Sequence, residues 1–203
     1  GFRPPGDLLG WGTLMKPIYL DYNASTPIAP EVADAMRPFL GDHYGNPSSV
    51  HWAGSPAKQA IEKARGQVAA LLGSAPSEIV FTSGGTEANL SAMVAARENW
   101  RKQNENRKHQ RGIVITAISA HSSVRSMAKV IDVDVISVQT EDKFEAHQLV
   151  ETLNSLTPDE QSRVFAVIAT GGTTNAGIID DLEGIAEICE KENLWFHVDA
   201  AYG

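Results

Sequence analysis

A single cysteine, Cys189, rules out an internal disulfide in this 203-residue chain. Cysteine and histidine nowhere cluster at zinc-ligand spacing, so no metal-binding residue is nominated. Basic charge is also scarce. Seventeen Lys and Arg face 25 Asp and Glu, a net charge of -8, which is the wrong sign for a protein that binds by neutralising phosphate backbones. Nucleic acid is therefore not expected as a partner. Long apolar runs are missing too: Val164 to Ala169 is of strand length, far below the roughly 18 to 20 residues of a membrane helix. No membrane partner is expected. Pro4, Pro5, Gly6 and Asp7 interrupt the opening stretch, which leaves it without the uninterrupted apolar segment of a signal peptide. With the lone cysteine, this sets the expectation of a reducing, cytoplasmic location.

What the chain does have is a globular balance, 42% hydrophobic and 21% charged, and a repeated alternation of strand and helix signals. Residues 1 to 15 read as an irregular N-terminal extension, and 16 to 203 as one α/β domain. Strands are expected at Ile18 to Asp21, Glu78 to Thr82, Ile113 to Thr116, Val133 to Val138, Val164 to Thr170 and Trp195 to Asp199. Helices are expected at about Glu31 to Leu40, Ala57 to Leu72, Thr86 to Lys102, Ser122 to Val130, Glu145 to Leu156 and Leu182 to Asn193. Strands of near-continuous Val and Ile, each followed by a helix, imply a mainly parallel sheet sandwiched by helices. Ligands of such sheets bind beyond the carboxyl ends of the strands.

Four signals fall at that edge. Thr82-Ser83-Gly84-Gly85-Thr86-Glu87-Ala88-Asn89 joins a strand to a helix, where glycine amides, the Thr86 hydroxyl and the helix N-terminus could seat a phosphate. It is neither a Walker A loop nor G-x-G-x-x-G. Ala120-His121-Ser122-Ser123 offers an imidazole able to lie on an aromatic ring. Gly171-Gly172-Thr173-Thr174-Asn175-Ala176-Gly177 follows the Val164 strand. Trp195-Phe196-His197-Val198-Asp199-Ala200-Ala201-Tyr202 ends in a strand-end aspartate, a costly placement unless a cation or donor awaits it. Taken singly, each also has a plain structural reading as a turn, a cap or a packed residue.

Phosphate seat, stacking histidine, polar threonine and strand-end aspartate in this order resemble the fold-type I pyridoxal-phosphate enzymes, over roughly residues 16 to 203. IYLDYNASTPIAPEVADAM, HYGNPSSVHWAG and EIVFTSGGTEAN are similar to cysteine desulfurases of the class V aminotransferase group. TSGGTEANLSAMVAAR, VIATGGTTNAGIIDDLEGIAEIC and LWFHVDAAYG resemble group II pyridoxal-dependent amino-acid decarboxylases. Desulfurases usually carry Asn-Asn-Glu-x-Gly near position 174 and Gln at 202, where this chain has Thr173-Thr174-Asn175 and Tyr202.

The resemblance implies the large domain of that fold, incomplete here, with pyridoxal 5'-phosphate as cofactor. Gly85 and Thr86 would hold the phosphate, His121 would stack on the ring, and Thr174 would stand near its oxygen substituent. Ala201 would pack beneath the ring, and Asp199 would pair with the pyridine nitrogen. His121 and Asp199 are thus the catalytic candidates. Amino-acid decarboxylation is the first reading, cysteine desulfuration the alternative, and a non-catalytic domain keeping part of a cofactor pocket the third. A small amino-acid substrate and a homodimer of the complete enzyme are implied as partners. Both families bind the cofactor to a lysine after the Asp-Ala-Ala segment. That lysine is absent before Gly203, so the chain is expected to be the first part of a longer enzyme or a join of two related ones near Asn89. Cys189 reads as a packed helix residue rather than a nucleophile.

Overall fold

The computed structural model describes residues 17–203, so the extension expected over residues 1 to 15 lies outside the described residues. The described chain forms two compact units, one ending at Ile79 and one beginning at Val80.

In the first unit, α1 (Pro30–Met36) starts with proline at its first position, where a missing amide costs nothing, and gives way to a 3-10 turn over Arg37–Leu40. Pro38 accounts for that change, because it has no N–H to continue the α pattern. Helix α2 (Ser55–Leu72) also opens with proline and stops at Gly73, whose φ of 66° is the left-handed conformation that glycine adopts without strain. A 3-10 turn follows over Pro76–Glu78.

Two expected strands do not form. Ile18 to Asp21 stays exposed and turns on itself: the Ala24 amide donates to the Asp21 carbonyl, and the Tyr19 hydroxyl lies 2.8 and 3.0 Å from the Asp21 and Ser25 carbonyls. Glu78 to Thr82 pairs with no strand among the described residues, and Val80 and Phe81 stay largely exposed. Apolar, β-branched composition marks a segment suited to a sheet, but a strand exists only where a partner takes up its backbone groups.

The second unit holds a parallel sheet of β1 (Ile113–Ala117), β2 (Asp134–Val138), β3 (Val164–Thr170) and β4 (Trp195–Asp199), in spatial order β2-β1-β3-β4. Side-chain alternation splits its core in two. Val114 and Ile168 join Met93 and Trp100 of α3 (Gly85–Gln103) and Val124 and Met127 of α4 (Ser122–Val130) on one face. Ile115 and Val167 join Leu149 of α5 (Ala146–Ser155) and Ile185 and Cys189 of α7 (Leu182–Lys191) on the other. The expected α/β class, a mainly parallel sheet covered by helices, is therefore observed. One helix was not anticipated, α6 (Pro158–Arg163), opened by a capping box in which the Thr157 hydroxyl accepts from the Glu160 amide and Glu160 reaches back to the Thr157 amide.

The basic stretch Arg101 to Arg111 is largely paired with acids: Arg107 with Asp159 at 3.2 Å, and Arg111 with Asp132 and Asp134 at 3.2 and 3.0 Å. Among the described residues no helix is long and apolar enough to cross a membrane.

Candidate functional site

The strand order fixes where a site can lie. From β1 the chain passes outward to β2, then returns to β3 on the other side of β1, so the loops after β1 and β3 diverge and open a crevice at the strands' carboxyl ends. A cavity of about 300 Å³ lies there, the size of a small-molecule site. Gly85, Thr86, His121, Thr174, Asp199 and Ala201, the residues nominated from the sequence, all line it.

At one end is the start of α3. Its first intrahelical bond runs from the Ala88 amide to the Gly84 carbonyl. The amides of Gly85 and Thr86 precede that bond and take no partner within the helix. Glu87 turns back to accept from the Ser83 amide at 2.6 Å, and this contact with Ser83 holds its carboxyl below the ordinary range.

Asp199 lies at the end of β4, beside Thr170 of β3. Its Oδ2 accepts from Asn89 Nδ2 at 2.9 Å and its Oδ1 from the Ala201 amide at 3.3 Å. His121 caps α4, its Nδ1 accepting from the Ser123 amide at 3.2 Å and lying 2.9 Å from the Ser123 hydroxyl. The loop after β3 is tied by Thr173: its amide donates to the Ile178 carbonyl, and its hydroxyl accepts from the Ile178 amide. Gly172 in that loop has φ of 130°, and an added Cβ would meet Tyr202 at 3.5 Å. That contact is an ordinary one, so it is the backbone conformation that calls for glycine there. Buried Asp180 anchors the loop's base by accepting from the Thr170 and Phe144 amides; burial raises its pKa against the pull of those amides.

Sequence reasoning missed several residues of this site. Asn89, Ser123 and Thr170 are buried polar side chains at or beside the cavity. Asn89 sat inside the quoted Thr82 to Asn89 motif, but only the fold brings it to Asp199. The Thr170 hydroxyl is buried without a hydrogen-bond partner, an arrangement that leaves a donor for a bound molecule.

Residues 18–203 match the family model described as aminotransferase class-V. The chain belongs to the class-V aminotransferase family. Class-V aminotransferases depend on pyridoxal 5'-phosphate, and the residues present fit it. Free helix-start amides and the Thr86 hydroxyl suit a phosphate, Asp199 suits a ring nitrogen, and the unpartnered Thr170 hydroxyl can serve a polar substituent. The chain is 37% identical over 196 residues to cysteine desulfurase IscS of Methylobacillus flagellatus, a match covering 93% of this chain and 45% of that protein. The IscS of Dechloromonas aromatica gives the same identity and coverage. The chain thus spans less than half the length of these curated relatives.

Among solved structures, SspA in complex with cysteine matches this class-V chain with a TM-score of 0.72 and 28% identity, covering 89% of this chain and 49% of that one. The glutamate decarboxylase domain of a diaminobutyrate-pyruvate transaminase and L-2,4-diaminobutyrate decarboxylase from Vibrio parahaemolyticus matches at 0.66 and 25%, covering 87% and 41%.

Cys189 is 1% exposed, and burial pushes its thiol up to about 12, so it is an unreactive core residue. His197 is shifted the other way. Burial lowers its pKa below the ordinary 6.5, opposed by the charge of Asp199. An unfolded His197 therefore binds a proton that the folded one refuses. Its contribution is fully present above pH 6.5 and is lost as pH falls through the folded pKa. The melting temperature should fall on acidification below pH 6.5, and His197→Gln should flatten that part of the profile; parallel profiles would contradict the assignment.

Proposed function

We propose that this chain, as one transferase-like domain over residues 16 to 203, supplies the phosphate- and ring-holding part of a pyridoxal-phosphate site acting on a small amino acid, with cysteine as the substrate and removal of its sulfur as the reaction. The observation that carries the reading is the convergence of Gly85, Thr86, His121, Thr174, Asp199 and Ala201 on one cavity. Gly85 and Thr86 bind the phosphate through backbone amides and a hydroxyl. Asp199, held by Asn89 and the Ala201 amide, binds the ring nitrogen. His121 covers the ring, Ala201 packs beneath it, and Thr174 stands at its oxygen substituent. When bound, the cofactor withdraws electrons from the bond that breaks at the substrate's α-carbon. The homodimer implied by the family resemblance belongs to this reading, as does a cytoplasmic setting.

The choice of cysteine is supported by relatives matched over nearly the whole chain, which carry the desulfurase name. Decarboxylation, first on the residues alone, becomes the second reading. It is favoured by Thr173-Thr174-Asn175 and Tyr202, where desulfurases usually carry other residues, and Thr173, Thr174 and Tyr202 line the cavity. None of the described lysines lines the cavity, and Cys189 is too buried to accept sulfur. The chain supplied with pyridoxal phosphate should bind it, and a protein that carries this segment together with a lysine for the cofactor should, in the presence of a thiol reductant, release sulfide from cysteine. Carbon dioxide release from an amino acid without sulfide would select decarboxylation. Failure to bind the cofactor would contradict both.

A further inference from the structure

Asn89 is 3% exposed, in the second turn of α3, where an apolar side chain would pack without the cost of burying an amide. Both N–H directions of its carboxamide and one lone pair of its oxygen are used. Nδ2 lies 2.9 Å from Asp199 Oδ2 and 3.1 Å from Ser123 Oγ, and Oδ1 lies 2.8 Å from His197 Nε2. The orientation is fixed by chemistry: turning the amide over would set its oxygen against the Asp199 carboxylate, and a carboxylate only accepts.

Proton bookkeeping then runs outward from this residue. Because Asn89 Oδ1 can only accept, His197 must present its proton on Nε2. Because Ser123 Oγ accepts from Asn89, its own proton is free for His121 Nδ1, which also receives the Ser123 amide. The ring proton of a neutral His121 is thereby directed to Nε2. One amide connects the strand-end carboxylate, the imidazole behind it and the imidazole across the cavity.

We propose that Asn89 is a positioning residue of this site: its carboxamide holds the Asp199 carboxylate with one N–H and Ser123 with the other while taking the Nε2 proton of His197, joining Asp199 and His121 in one hydrogen-bonded unit. The proposal rests on the pyridoxal-phosphate reading for what Asp199 binds, but the hydrogen-bond order stands on the chain's own residues. Asn89 acts through Asp199 and Ser123, keeping the carboxylate directed at the cavity before a ligand arrives. Such preorganisation removes a reorientation cost that binding would otherwise bear.

Two variants and two readouts test it in the intact protein. Long-range proton–nitrogen NMR reports which nitrogen of His197 and His121 carries the proton, without any cofactor. Pyridoxal phosphate titration reports the dissociation constant. In the wild type His197 should be protonated on Nε2. Asn89→Ala should lose that preference and raise the dissociation constant roughly tenfold, the scale of one charge-assisted hydrogen bond. Asn89→Asp fills the same space and still accepts from His197, but turns an oxygen toward Asp199. It should keep the His197 proton on Nε2 and still weaken binding by at least about tenfold, a split that space-filling alone would not produce. Wild-type tautomers and affinity in both variants would overturn the proposal, as would an Asn89→Asp protein that fails to fold, since the amide would then serve the fold. Should the wild type bind no pyridoxal phosphate, the proposed function falls, and the His197 signals of wild type and Asn89→Ala still decide this inference.

Discussion

Replacing Asp199 with alanine should raise the dissociation constant for pyridoxal phosphate roughly 10- to 100-fold, the worth of a hydrogen bond to a charged group in a partly buried site. Two losses combine. The ring nitrogen loses its carboxylate, and Asn89 Nδ2, buried and 2.9 Å from Asp199 Oδ2, loses an acceptor. In a protein that also carries a lysine for the cofactor, turnover should fall further than binding, because a protonated, electron-withdrawing ring matters most when charge develops in the transition state. Spectroscopic titration of wild type and variant with cofactor, followed by rates at saturating cofactor, separates the two effects. An affinity within twofold of wild type would remove Asp199 from the site.

The second large effect concerns stability. Phe144 is fully buried between the strands and α5 and α7, its amide donates to Asp180 at 2.8 Å, and its carbonyl accepts from the Asp181 amide at 2.9 Å. Phe144→Ala should cost about 3 to 5 kcal/mol, because the ring leaves a cavity that the close-packed sheet face cannot fill. The same change loosens the segment that positions Asp180 and, through the Thr170 amide, the floor of the cavity. Denaturant unfolding measures the loss; a change below about 1 kcal/mol would show that the core collapses around the gap.

Legibility followed the range of the interactions involved. Strands β1 and β3 were readable because their apolar runs are buried on both faces, and α2 because proline opens it and glycine closes it. Helix α6 was readable in principle from Thr157-Pro158-Asp159-Glu160, a local capping signal that went unused. Ile18 to Asp21 and Glu78 to Thr82 were misread because strand formation depends on a partner that composition does not name.

The candidate site divides in the same way. Gly85, Thr86, His121, Thr174, Asp199 and Ala201 follow from strand ends and glycine-rich turns, which are local. Asn89 meets Asp199 across 110 positions of sequence and Ser123 across 34. Nothing within its own helix announces those contacts. Thr170 reads as one more residue of an apolar strand until its hydroxyl is found buried and unpartnered at the cavity.

A crystal structure of the protein soaked with pyridoxal 5'-phosphate tests the central claim most directly. The phosphate should lie within hydrogen-bond reach of the Gly85 and Thr86 amides and the Thr86 hydroxyl, with the ring nitrogen against Asp199 and the ring covered by His121. A cofactor bound elsewhere, or bound in this cavity with its ring nitrogen away from Asp199, would contradict the account.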